Sequence, residues 1–232
     1  MSRTVVRLTV DHLADLPGPC RSCLFWELDP VRRARVSGDA ALAEKEAWLS
    51  EVLREWGSCG RVVLVDDQVV GYVVYAPAAY VPGAGAFPTA PVSPDAVLLT
   101  TAYVADEHAD GGLGRMLVQA MARDLIERGG IRAVEAFGTT APALGSCLVA
   151  AGFLGSVGFK THRPHPLTPR MRMDLRSALT WRDEVEAAVE RLLGVVRPHP
   201  KPTPERSHRS LDAPRRRRVS GDGVRQVRQR VS

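Results

Sequence analysis

Apolar residues along the chain recur with two periods, and the switches between them mark the elements. Thr4 to Val10 alternates, which predicts a strand with Val6, Leu8 and Val10 on one face. Asp11 and His12 open a short helical or irregular segment that Pro17, Gly18 and Pro19 break. Asp39 is placed to cap a helix running to Trp56, with Trp48, Leu49, Val52, Leu53 and Trp56 as its stripe and Gly57 as its stop. Cys59 to Val65 and Val69 to Tyr75 read as a hairpin turning across Asp66-Asp67-Gln68. Ala96 to Val104 is an apolar, β-branched run with two threonines inside it, as a strand covered on both faces requires. Small and acidic residues then interrupt, and from Met116 the positions Met116, Leu117, Ala120, Met121, Leu125 and Ile126 recur at helical spacing until Gly129-Gly130. Ile131 to Phe137 is the next strand, Ala143 to Val157 a further helix, and Phe159 to Arg163 and Arg172 to Leu175 the last strands. Trp181 to Leu193 is amphipathic, with Val185, Val189 and Leu192 inward, and offers a face to the domain or to a second subunit of a homodimer. The order predicts an α/β (α+β) domain over residues 1–180, a helix over 181–194 and a tail over 195–232.

The tail is set apart by composition. The chain has a net charge of +5, but from Val195 onward ten Arg and one Lys face only Glu205, Asp212 and Asp222, so the tail carries +8 and the rest −3. A segment of Pro, Ser and Arg that includes Arg215-Arg216-Arg217-Arg218 buries too little apolar surface to offset its ordering entropy, and disorder is expected there. Its basicity allows weak, salt-dependent contact with nucleic acid or an acidic partner, and the mildly acidic domain does not. No apolar run is long enough to span a bilayer and the first residues lack the regions of a signal peptide, so a cytoplasmic location with no membrane association is expected.

Four cysteines do not make a disulfide framework at 232 residues. Cys20 and Cys23 form a C-x-x-C pair, which suits half a zinc site, a redox dithiol or two small buried hydrophobes. Cys59 and Cys147 are the other thiols; without a second C-x-x-C or an H-x-x-x-H pattern, no metal is assigned. Ala76 to Asp95 holds Pro77, Pro82, Pro88, Pro91 and Pro94, too broken for a helix and long for a strand connection, so it reads either as a functional loop or as a variable surface one. Glu135 is the one carboxylate inside an apolar strand. Burial without a partner would make it a base useful near neutral pH, and burial with one would make it structural.

Gly112 and Gly114 stand where the strand ending at Val104 hands over to a helix. The first backbone N–H groups of a helix have no internal partner, and the macrodipole makes the site suit an anion. No lysine follows Gly114, which excludes the phosphate loop G-x-x-x-x-G-K-[ST], and Leu117 stands where a dinucleotide fingerprint needs its third glycine. Asp110-Gly111-Gly112-Leu113-Gly114, after Val104-Ala105-Asp106-Glu107-His108, resembles the central motif [QR]-x-x-G-x-[GA] of the GNAT N-acetyltransferase superfamily, with Ala109 at the position usually Gln or Arg. Gly158-Phe159 is similar to the Gly-Phe that closes the fourth helix of that fold.

The resemblance implies a mixed, mostly antiparallel sheet flanked by helices. It implies acetyl-CoA as co-substrate, its pyrophosphate on Ala109, Asp110, Gly111, Gly112, Leu113, Gly114 and Arg115, and its pantetheine along Ala102, Tyr103 and Val104. An amine acceptor would attack the thioester directly, with Glu135 as general base and a backbone N–H of Tyr103 or Val104 polarising the carbonyl. Many members place a tyrosine as general acid four residues before the glycine of Gly-Phe. Here that position is Leu154, so protonation of the thiolate falls to Tyr103, Ser146, Cys147 or water, or the chain is a CoA-binding regulatory module without turnover. Segments after the first strand often wall the acceptor pocket, which makes Trp26 and Glu27 substrate-contact candidates against the alternative that Phe25 and Trp26 are core. The third class is a thiol or zinc regulator with its basic tail on nucleic acid.

Overall fold

In the computed structural model, which describes residues 2–17, 21–141 and 147–176, the strand Arg3–Arg7 (β1) pairs with the second strand, and the chain leaves the sheet at Arg7. The strand is therefore shorter than expected: Val10 opens a 3-10 turn, Val10–Ala14, while Leu8 is buried. A short helix Pro30–Arg33 (α1) is started by Asp29, whose carboxylate accepts from the Val31 and Arg32 amides. The long helix Asp39–Glu55 (α2) is capped by Gly38 and not by Asp39, which lies inside its first turn. Gly60–Val65 (β2) and Gln68–Ala76 (β3) form the expected hairpin, with Asp66 and Asp67 both at positive φ, 47° and 65°, as a two-residue turn of matching twist requires.

Ala96–Val104 (β4) lies antiparallel to β3, and the long helix Leu113–Arg128 (α3) carries the chain across to Ala133–Thr139 (β5), which is parallel to β4. Val149–Ala150 (β6) and Ala151–Ser156 (α4) replace the single helix expected over 143–157, of which 143–146 lie outside the described residues. Lys160–Arg163 (β7) and Arg170–Asp174 (β8) complete the sheet, whose order is β1-β2-β3-β4-β5-β8-β7 with β6 beside β5. Every pairing along that order is antiparallel except β4 with β5, so the sheet is mixed and mostly antiparallel. The helix expected at 181–193 and the tail lie outside the described residues, as do Cys20 and Ser146. Among the described residues no helix is long and apolar enough to cross a membrane.

The sheet separates two cores. Val97, Leu99, Val134 and Ala136 pack with Leu117, Met121 and Leu125 of α3 on one face. Leu98, Phe137 and Tyr72 pack with Trp48, Leu49 and Val52 of α2 and with Trp26 on the other. One irregularity decides what happens between them. Val74 pairs with Thr101 and Tyr75 with Leu99, so Thr100 is an extra residue in β4. Its hydroxyl donates to the Val74 carbonyl at 3.0 Å. A bulge inverts the facing of everything after it. Thus Val97 and Leu99 before Thr100, but Ala102 and Val104 after it, pack toward α3, and Tyr103 is turned to the opposite face.

Candidate active site

The parallel pairing of β4 with β5 covers only Ala96 with Ala133, Val97 with Val134, and Leu98 with Glu135. Beyond Leu98 the strands part, and β6 takes the neighbouring place on β5 through Gly138 with Val149 and Thr139 with Ala150. The gap is a cleft of about 440 Å³, lined on one wall by Ala102, Tyr103 and Val104 and on the other by Leu148, Val149, Ala150 and Phe153. It runs to the start of α3, where Ala109, Asp110, Gly112, Gly114 and Arg115 close it.

The turn into α3 is built for close approach. Asp106–Gly111 is a 3-10 turn, and Gly112 follows in the left-handed region at φ 73°. No side chain caps the first turn of α3 and no acidic residue lies within it, so its amides and the positive end of the dipole face the cleft. A Cβ on Gly114 would come within 2.9 Å of the Phe153 ring, so glycine there holds α3 against α4. Arg3 Nη1 donates to the Gly111 carbonyl at 3.0 Å and Arg115 Nη2 to the Ser156 carbonyl at 2.9 Å, which fastens the turn to β1 and to the far wall. A pyrophosphate and an extended pantetheine fit this arrangement: uncapped amides at one end and an unpaired strand edge along the gap.

Of the ten residues expected to hold the cofactor, Ala102, Tyr103, Val104, Ala109, Asp110, Gly112, Gly114 and Arg115 line the cleft. Leu113 is instead buried in the α3 core, and Gly111 is turned to Arg3 through its carbonyl. The wall formed by Leu148, Val149, Ala150, Phe153, Ser156 and Val157 is not marked in the sequence; only Gly158-Phe159 hints at where it ends. Leu154, at the tyrosine position, is fully buried in the α3 core, and Phe153 and Ser156 are the residues of α4 that face the cleft.

Trp26 and Glu27 lie across the sheet from α3. The Trp26 ring stacks on Phe87 at 5.3 Å and on Phe137 at 6.2 Å, and its Nε1 donates to the Cys147 carbonyl at 3.1 Å. Phe87 belongs to the proline-rich connection, which forms 3-10 turns at Ala78–Tyr80 and Pro82–Ala86 and packs on this face as a wall. Glu27 is buried and paired with Lys45, whose Nζ also donates to the Cys23 carbonyl at 3.2 Å. Lys45 and Trp48 of α2, with Leu8, Leu16, Tyr72 and Thr101, line a separate void of about 10 Å³.

Glu135 shares its sheet face with Phe137 but sits at the level where β4 and β5 are still paired. It is fully buried, and both oxygens are engaged: Oε2 by Arg170 at 2.9 Å and the Ser93 amide at 3.1 Å, Oε1 by Arg172 at 3.2 Å. Arg172 is shared with Asp95, and its hydrogen bonds hold the Asp95 carboxyl below the usual aspartate range. The structure thus brings Glu135 together with two guanidinium groups, not with Tyr103 or the glycine turn. Cys59 is buried in the α2 core, where burial pushes its thiol up to about 12. Among the described residues no three His, Cys, Asp or Glu side chains converge.

A strand that parts from its parallel neighbour beside a glycine turn at a helix start is the arrangement of an acyl-CoA-binding acetyltransferase. The chain belongs to the acetyltransferase (GNAT) family, whose model matches residues 23–153. Similar solved structures include the PaiA N-acetyltransferase of Thermoplasma acidophilum in complex with coenzyme A, at 13% identity over 75% of this chain and 99% of that one, TM-score 0.47. AAC(6')-Ib in complex with paromomycin and acetyl-CoA is 19% identical over 78% and 97%, TM-score 0.49. YhbS of Escherichia coli in complex with CoA is 25% identical over 57% and 68%, TM-score 0.36. No curated protein matches the chain. Family membership brings acetyl-CoA as the co-substrate and acyl transfer as the class of chemistry.

Proposed function

We propose that the protein is an N-acetyltransferase in which an amine attacks the acetyl thioester directly. The nitrogen–acyl bond forms as the carbon–sulfur bond breaks, the amine loses a proton, and the thiolate leaves as the CoA thiol. The observation that carries this reading is the cleft between β4 and β5, open along Ala102 to Val104 and ending on the uncapped start of α3. Holding the thioester and amine in line supplies much of the acceleration, so no covalent enzyme nucleophile is needed. Backbone N–H groups of the unpaired β4 edge, at Tyr103 or Val104, polarise the carbonyl.

The bulge at Thr100 turns Tyr103 toward the face that carries Trp26, while leaving it on the cleft wall. We assign it the proton that the departing thiolate takes up, since Leu154 is in the core. The arginine pairing of Glu135 supports a structural role in place of the base. Trp26 is the wall an acceptor would touch. Release of thiol from acetyl-CoA across a panel of small amines, aminoglycosides and peptides tests the reading. Tyr103→Phe is expected to lower kcat about tenfold or more with little change in KM for acetyl-CoA. No thiol release with any amine would refute turnover.

A second reading, a CoA-binding module without turnover, is favoured by Leu154, which stands at the tyrosine position and is buried in the core. Acetyl-CoA binding without thiol release from any amine would select it.

A further inference from the structure

Cys23 and Cys147 are 124 positions apart in the sequence, yet their Sγ atoms lie 3.0 Å from each other. A second bond fastens the same two segments, from Trp26 Nε1 to the Cys147 carbonyl, and Lys45 Nζ anchors the Cys23 carbonyl from α2. Both cysteines are only partly buried, whereas Cys59 is sealed in the core. Reagents from solvent therefore reach the pair. A disulfide has its sulfurs about 2.0 Å apart, so closure needs a movement of about 1 Å from the observed 3.0 Å, within the reach of side-chain rotation. A tetrahedral zinc ion would instead spread two thiolates to about 3.8 Å, wider than the observed 3.0 Å.

We propose that Cys23 and Cys147 are a modification site, oxidised by a peroxide to an intramolecular disulfide. One thiolate attacks a peroxide oxygen, the O–O bond breaks, and a sulfenic acid forms as the first water or alcohol leaves. The second thiolate attacks the sulfenic sulfur, the S–S bond forms, and hydroxide leaves and is protonated to water. The two sulfurs together lose two electrons, which reduce the peroxide, and a dithiol reductant reverses the step.

The bridge joins the segment that bears Trp26 to the residues Leu148, Val149 and Ala150 of the cleft wall. The Trp26 ring, stacked on Phe87 and Phe137, stands on the face to which Tyr103 is turned, and the bridge holds the segment that carries it in place. Oxidation is therefore expected to slow acyl transfer while leaving acetyl-CoA binding unchanged. This consequence rests on the acyl-transfer reading, and the bridge itself does not.

Full-length protein is reduced, treated with hydrogen peroxide and followed by intact mass, thiol titration and non-reducing peptide mapping. The expected result is loss of two hydrogens and of two of the four thiols. A peptide pair linking Cys23 to Cys147 is expected, absent from Cys23→Ser and from Cys147→Ser and removed by dithiothreitol. The thermal midpoint is expected to rise on the order of 10 °C, because the bridge closes a long loop. A Cys20–Cys23 bridge, sulfinic acid without a cross-link, or stoichiometric zinc that is lost in Cys23→Ser would overturn the proposal. Failure of the reduced protein to bind acetyl-CoA would count against the acyl-transfer reading and leave the mass result to decide the bridge. Thiol release at an unchanged rate from the bridged protein would overturn the effect on turnover.

Discussion

Replacing Glu135 separates a structural carboxylate from a catalytic one. Its side chain is fully buried and accepts from Arg170, Arg172 and the Ser93 amide, and Arg170 is itself nearly fully buried. Glu135→Ala leaves the Arg170 guanidinium without its charged partner in a site closed to water, at a cost of about 3–5 kcal/mol. At roughly 2–4 °C per kcal/mol for a chain of this size, the thermal midpoint should fall by about 10 °C or more. Glu135→Gln keeps the shape and one acceptor but loses charge-assisted hydrogen bonds, at about 1.5–3 kcal/mol. Urea unfolding gives the stabilities, and thiol release measured well below the midpoint gives kcat. Both variants should be destabilised, and the Gln variant should keep kcat within about threefold once corrected for folded fraction. A Gln variant that unfolds like the wild type but loses about 100-fold or more in kcat would refute this reasoning and return Glu135 to the role of base.

Gly83 packs against the backbone that carries Trp26: a Cβ there would meet the Phe25 carbonyl oxygen at 2.2 Å. Gly83→Ala should therefore displace the acceptor wall and cost about 1–3 kcal/mol, read as a midpoint lowered by about 5 °C and a red-shifted tryptophan emission; an unchanged midpoint would count against the packing described. Asp95, held below its usual value of 3.8 by Arg172, contributes stability that is present above that value and lost as pH falls through the depressed one. Asp95→Asn should lower stability at neutral pH and flatten the acid limb of the profile below about pH 5, so that variant and wild type converge at low pH, and a limb as steep as the wild type's would contradict the pairing.

The organising stretch from Ala96 to Phe137 was legible because its signals are local: a run of β-branched residues, glycines at one junction, then helical spacing. The glycine turn carries most of the expected cofactor residues for the same reason. The Thr100 bulge was not legible, since an extra residue in a strand shows only against a partner's register, and with it went the facing of Tyr103. The partners of Glu135 come from a strand 35 and 37 residues later, at Arg170 and Arg172, so burial could be expected from the sequence but pairing could not. Val10 alternates correctly with Val6 and Leu8, yet the Leu8 amide bonds to the Gly60 carbonyl and the chain then turns, a tertiary choice that alternation does not record. Cys23 drew attention through its neighbour Cys20, whereas the contact in the structure is with Cys147, which no spacing rule connects to it.

The central claim is that acetyl-CoA binds with its pyrophosphate on the start of α3. Calorimetric titration of acetyl-CoA into the wild type and Gly112→Asp tests it most directly. A Cβ at Gly112 meets nothing within 4 Å, and aspartate tolerates the left-handed conformation, so the variant should fold. Its charge would face the pyrophosphate, and the affinity is expected to fall at least 30-fold, about 2 kcal/mol. Equal affinity for the two proteins, with both folded, would contradict the account.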